Sequence, residues 1–90
     1  MAHADEAALQ RLPPLLRQLR EIKGLREMKP GIFYLKGSAF LHFHDDAGAL
    51  VGDLKRTRDS GFDRYPVDTA PGQRKLLDDA KRRVNRHDEE

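Results

Sequence analysis

Residues 30–44 of the chain read PGIFYLKGSAFLHFH, and they predict two antiparallel strands joined by a tight turn. Aromatic and aliphatic side chains fill positions 32–35 and 39–44, and these residue types favour strands. The connection Lys36-Gly37-Ser38 contains the glycine that a short hairpin turn needs. Ahead of the first strand, Pro30-Gly31 fits the central positions of a type II turn. The centre of the chain is therefore predicted to form a β-hairpin.

The residues after the hairpin continue the antiparallel pattern. Asp45-Asp46-Ala47-Gly48 has the composition of a second turn, and residues 49–55 follow it as a third strand. A polar loop leads to residues 62–67, which predict a fourth strand, and Pro66 places that strand at an edge because proline has no N–H to donate. We therefore expect a β-meander of three to four strands between residues 25 and 67.

A helix is predicted on each side of this meander, over about residues 5–24 and over residues 69–85. Apolar residues recur at spacings of three and four in both segments, which is the pattern of an amphipathic helix. They are Leu9, Leu12, Leu16, Leu19 and Ile22 in the first, and Leu76, Leu77, Ala80 and Val84 in the second. Residues 86–90 are predicted to be a polar tail. The expected fold class is α+β, with the N-terminal and C-terminal helices packed on one face of the sheet and the other face open.

Length and composition narrow the class of protein. Ninety residues with 38% hydrophobic and 36% charged side chains predict a single domain, residues 1–90, with a modest core. The chain has no cysteine, which excludes a disulfide scaffold and a thiolate metal site and fits the cytoplasm. No apolar run approaches the ~18 residues that cross a bilayer, and the N-terminus lacks the order of a signal peptide, so we expect no membrane association.

The strand sequence His42-Phe43-His44 is the first candidate site. Alternate residues of a strand point to the same face, so His42 and His44 are expected to lie side by side. Two such imidazoles can bind one Zn²⁺, Fe²⁺ or Mn²⁺ ion, with Asp45, Asp46 or Asp53 as a third ligand. The competing interpretation is an ordinary half-exposed strand, because no fixed-spacing metal motif accompanies the pair.

A protein-interaction surface is the hypothesis that the sequence favours most. Leu41 and Phe43 are expected to fill the core, which would leave Tyr34, Phe40, His42 and His44 on the open face of the sheet. Apolar patches on a sheet face often mark a partner or a dimer interface. The sequence thus predicts a non-enzymatic interaction module that forms a homodimer or binds another protein. Histidines at such an interface would make association sensitive to pH near about 6.

Basic residues suggest nucleic-acid binding as a further alternative. One cluster is predicted in a loop and another on the last helix: Lys55, Arg56 and Arg58, and Lys81, Arg82 and Arg83. The pI is 9.2, but the formal charge is only +2. Aspartates interleave with these bases and offer them ion pairs, which argues against a strongly basic surface. The sequence has no serine nucleophile motif and no phosphate-binding glycine loop, which argues against an enzyme without a metal.

The central strands also carry a resemblance to known proteins. The segment from Phe33 to His44 is similar to small uncharacterised bacterial proteins that share an FY-x-K-x-x-x-FLHFH core. This resemblance implies a compact bacterial domain and no particular reaction. More generally, a meander in which a Lys-Gly hairpin precedes an apolar strand resembles the MmcQ/YjbR-like domains, for which DNA binding has been suggested.

Overall fold

The computed structural model describes residues 2–3, 12–56 and 61–89, and shows an α+β fold built on one antiparallel sheet. Five strands follow one another across the sheet in chain order. They are β2 (Leu25–Lys29), β3 (Ile32–Leu35), β4 (Ser38–Asp46), β5 (Ala49–Lys55) and β6 (Phe62–Pro66). A two-residue strand, β1 (Ala2–His3), pairs with the end of β4 and places His3 opposite His44 in the register.

The meander has more strands than the sequence predicted, because residues 25–29 also pair with the sheet as β2. Two hairpin turns set the register of the central strands. Lys36 and Gly37 have φ angles of 53° and 84°, and Ala47 and Gly48 have 53° and 87°. Positive φ at both central residues matches the right-handed twist of the flanking strands. As predicted from Pro66, β6 lies at an edge.

A β-bulge in β4 contradicts the predicted position of Phe40 on the open face. Phe33 pairs with Leu41 while Tyr34 pairs with Ala39, so Phe40 is an extra residue without a cross-strand partner. An extra residue breaks the strict alternation of side chains. Phe40 and Leu41 are therefore both buried in the hydrophobic core, with 1% and 0% of their surfaces exposed. Phe40 does not lie on the open face of the sheet.

Both helices differ in extent from their predictions. Helix α1 spans Pro13–Arg20, and residues 5–11 of the predicted first helix lie outside the described residues. Helix α2 spans Ala70–Glu89 and so includes most of the segment predicted to be a polar tail. Thr69 caps α2, because its Oγ1 accepts a hydrogen bond from the N–H of Gly72 at 3.2 Å.

The placement of the helices differs from the prediction: α1 contacts β2, α2 contacts β5 and β6, and the two helices contact each other. Leucines of α1 and apolar residues of α2 join the inward side chains of the strands in one cluster. Gly52 of β5 allows close packing there, since a Cβ atom at this position would lie 3.1 Å from Leu76 and 3.2 Å from Phe43. None of the described helices is long and apolar enough to cross a bilayer. The opposite face of the sheet carries the candidate site.

Candidate metal centre

Two neighbouring strands bring His42, His44 and Asp53 together. His42 and His44 are two residues apart on β4 and so lie on the same face. Asp53 on β5 is the direct register partner of His42. One ligand atom from each of the three side chains lies within 4.8 Å of the other two. Among the described residues, this is the only cluster of three or more His, Cys, Asp or Glu side chains with such a geometry.

The polar atoms of the three side chains converge on one point. Nδ1 of His42 is in direct contact with Nε2 of His44, and the two rings are nearly perpendicular, with an interplanar angle of 88°. Nε2 of His44 lies 3.3 Å from Oδ2 of Asp53. Either the N–H of one imidazole donates to the bare nitrogen of the other, or a cation lies between the two nitrogens. With the Asp53 carboxylate beside them, the two nitrogens form a donor set that can bind a metal ion.

One of the two distances given for the cluster fits a metal ion as it stands. In a tetrahedral zinc site with bonds of ~2.05 Å, adjacent ligand atoms are about 3.3 Å apart. The separation of His44 and Asp53 already has this value. The nitrogens of His42 and His44 are closer than this, so a metal ion would require a small outward rotation of one ring. His42 is the more mobile candidate for this rotation, because it is half-buried while His44 is buried.

Arg64 of β6 holds the carboxylate of the site. Its Nε donates to Oδ1 of Asp53 at 3.0 Å, its Nη2 donates to Oδ2 at 3.3 Å, and its Nη1 donates to Asp46. The hydrogen bond to Asp53 raises the pKa of Arg64 more than any other cause. His42, Asp53 and Arg64 thus form a continuous row across three strands, which the register places side by side.

The histidines open onto a shallow cleft of about 440 Å³ on the open face. Its walls are mostly apolar and come from β2, β3 and β4. The lining residues are Met28, Lys29, Ile32, Tyr34, Ala39, His42 and His44. The ring of Phe62 lies on the other side of His42, with 5.0 Å between ring centroids. A metal ion at the histidines would therefore be reachable from solvent along an apolar surface.

Three of the five predicted metal ligands come together, whereas Asp45 and Asp46 do not. Asp45 lies outside the cluster, and its Oδ1 accepts a hydrogen bond from the N–H of Gly48 in the following turn at 2.8 Å. Of the predicted interface residues, Tyr34, His42 and His44 line the cleft, whereas Phe40 is in the core. The bulge in β4 accounts for this difference.

The predicted nucleic-acid residues are dispersed and mostly paired with aspartates. Arg56 and Arg83 both bind Asp63, at 2.8 and 2.9 Å, and Arg82 binds Asp79 at 2.9 Å. Arg83 also donates to the backbone carbonyls of Leu54 and Lys55, while Lys81 is exposed. Arg58 lies outside the described residues. Nucleic-acid binding stays a prediction, and these ion pairs do not favour it.

Sequence reasoning did not include Arg64, Met28 or Phe62 in the site. All three depend on the register of the sheet, which brings β6 beside β5 and folds β2 next to β3. The one sign in the sequence that Arg64 could belong to the site was its basic side chain, which lies between Asp63 and Tyr65 on a predicted edge strand. Comparisons with protein families, with characterised proteins and with solved structures found no match, so the resemblances of the central strands stay predictions.

Proposed function

We propose that this protein binds a divalent transition-metal ion through Nδ1 of His42, Nε2 of His44 and a carboxylate oxygen of Asp53. The observation that carries the proposal is that one ligand atom from each of the three side chains lies within 4.8 Å of the other two, on a face of the sheet that opens to a cleft. Buried carboxylates in proteins are paired or coordinate metal ions, and Asp53 is buried. Arg64 compensates Asp53 from one side, and the metal ion compensates it from the other.

The donor set indicates which metals suit the site. Two nitrogens and one oxygen favour Zn²⁺, Fe²⁺, Mn²⁺ or a similar first-row ion over Ca²⁺ and Mg²⁺, which prefer oxygen ligands only. Three protein ligands leave at least one coordination position for water or another small ligand. A site of this type supports binding of an external ligand or activation of water.

Zinc titration of the purified full-length chain tests the proposal. We expect one Zn²⁺ per chain by calorimetry and elemental analysis, with the imidazole signals of His42 and His44 shifting together in NMR spectra. His42→Ala and His44→Ala should each lower the affinity at least about tenfold. His87→Gln is the matched control, since His87 belongs to α2 on the other side of the sheet. Equal zinc affinity in the control and in the two site variants would refute the proposal.

A second candidate function is self-association through the open face, as the sequence suggested. The observation that favours it is the exposure of two large apolar side chains next to the cleft, Met28 at 61% and Phe62 at 37%. A second copy of the chain could cover Met28, Phe62 and the cleft between them. Patches of this kind are unfavourable in water and often mark an interface.

Light scattering at rising protein concentration tests this second function. We expect dimers that dissociate when Met28→Glu places a charge on the patch. Leu25→Glu would disturb the core, so Arg26→Glu is the better control, because Arg26 is an exposed neighbour on the same strand. A monomer at millimolar concentration, with and without zinc, would count decisively against self-association.

A further inference from the structure

We propose that the cleft beside the histidines binds a small carboxylate with an apolar body, as an external ligand of the metal ion. This inference rests on the proposed function, because the carboxylate would occupy the coordination position that His42, His44 and Asp53 leave open. Small carboxylates would then be the class of external ligand that the metal site binds. Besides the histidines, the cleft has mostly apolar walls and two polar groups, those of Lys29 and Tyr34.

The size and lining of the cleft suit a small organic molecule. Its volume of about 440 Å³ lies within the range of about 300–1,000 Å³ that is usual for ligand sites. Met28, Ile32 and Ala39 supply apolar contacts, and the ring of Tyr34 adds an aromatic one. Ligand sites typically combine such walls with a small number of polar groups that fix orientation. The body of the ligand is therefore expected to be apolar.

Two polar groups of the cleft have no partner within the described part of the chain. The ammonium group of Lys29 forms no ion pair there, and the hydroxyl of Tyr34 forms no hydrogen bond there. Several arginines elsewhere in the described chain have aspartate partners, as Arg56, Arg64 and Arg83 do. A cation beside a phenol and a metal ion selects a negatively charged head group.

Coordination chemistry supports the same head group. A carboxylate oxygen is a good ligand for Zn²⁺ and can replace a bound water in the open position. Asp53 supplies only one negative charge to a doubly charged ion, and Arg64 already pairs with that charge. A second carboxylate from the ligand would bring the net charge of the metal and its carboxylates to zero. Neutral or cationic head groups would not achieve this balance.

An NMR titration of the zinc-loaded full-length chain tests the inference, with zinc content measured first. Hexanoate is the probe, and acetate, hexanol and hexylamine are its controls for length and charge. The reporters are the Met28 methyl group and the Tyr34 ring. We expect hexanoate to bind at least about tenfold more tightly than acetate, because its chain covers apolar surface. Lys29→Ala should weaken hexanoate binding about fivefold, whereas Lys23→Ala, an exposed lysine beside the helices, should not.

The outcomes separate this inference from the metal proposal. If one equivalent of zinc binds but hexanoate binds no more tightly than acetate or hexylamine, the carboxylate ligand is refuted. The proposed metal site is then unaffected. Equal effects of Lys29→Ala and Lys23→Ala would also refute the carboxylate ligand. Shifts of Met28 that depend on protein concentration and not on hexanoate would assign the cleft to self-association instead. Hexanoate binding that is lost when zinc is removed and weakened by Lys29→Ala supports the inference.

Discussion

Arg64 donates two hydrogen bonds to Asp53, from Nε to Oδ1 at 3.0 Å and from Nη2 to Oδ2 at 3.3 Å. This two-point contact fixes the plane of the carboxylate, and planar recognition of this kind is particular to arginine. The same guanidinium also brings a positive charge near a site proposed for a cation. Arg64 therefore has two opposite effects on metal affinity. It orients Asp53, which favours metal binding, and its positive charge repels the metal ion, which disfavours binding.

We predict that orientation is the stronger effect, so Arg64→Met weakens zinc binding on the order of tenfold to a hundredfold. Arg64→Lys keeps the positive charge but loses the two-point hydrogen bond to Asp53, so it should also weaken zinc binding. Calorimetric titration measures both. Arg56→Met is the matched control, because Arg56 pairs with Asp63 at 2.8 Å and is not a partner of Asp53. Tighter zinc binding by Arg64→Met would show that charge repulsion dominates.

Phe40 provides a test of the bulge in β4. Its side chain is 1% exposed and belongs to the core cluster, so Phe40→Ala leaves a cavity. We predict a loss of about 3–5 kcal/mol in the free energy of unfolding, measured by urea denaturation. Met28→Ala, at an exposed position, should change it by less than about 0.5 kcal/mol. A small effect of Phe40→Ala together with reduced self-association would place Phe40 at an interface.

The sequence was sufficient for the central hairpin and for the pairing of the two histidines, because both depend on local patterns. Strand residues, turn glycines and the two-residue period of a strand are visible without knowledge of the fold. Asp53 could be chosen as a candidate ligand for the same reason, since a short turn fixes how β4 and β5 pair. These features arise within residues 30–55.

Phe40 and Arg64 show where sequence reasoning fails. The bulge depends on how Phe33 and Tyr34 pair with β4, and the favourable burial of Phe40 against the helices stabilises it. No local sequence pattern reveals the stability that is gained by burying Phe40. Arg64 reaches Asp53 only because β6 pairs with β5 in this register. The register in which these strands pair depends on the packed structure. This pairing determines which face of the sheet Phe40 lies on and which residue binds Asp53.

The hydroxyl of Tyr65 donates a hydrogen bond to Oδ2 of Asp79 at 2.6 Å and so joins β6 to α2. Both side chains are buried. Burial acts to raise the pKa of Asp79, but the Tyr65 hydroxyl and nearby basic groups outweigh it and the pKa is lowered. We predict that Tyr65→Phe lowers the free energy of unfolding at pH 7 by about 1–3 kcal/mol. Tyr34→Phe, which removes no hydrogen bond between described residues, should be nearly neutral in urea denaturation.

Alkaline pH should weaken the fold through the same tyrosine. Burial, and then the hydrogen bond to Asp79, raise the pKa of Tyr65 to about 12. In the unfolded chain a tyrosine loses its proton near pH ~10. Between these values the unfolded state binds fewer protons than the folded state, so stability falls as pH rises. The contribution of Tyr65 is complete below pH ~10 and is lost as pH passes through about 12.

Urea denaturation of the wild-type chain and Tyr65→Phe from pH 9 to 12 checks this prediction. The free energy of unfolding of the wild type should fall more steeply than that of the variant, by up to about 1.4 kcal/mol per pH unit. Lysines also lose protons in this range, but they are present in both proteins and cancel in the difference. The difference between the two proteins should therefore shrink towards pH 12. Parallel curves would mean that Tyr65 loses its proton equally easily in the folded and the unfolded chain.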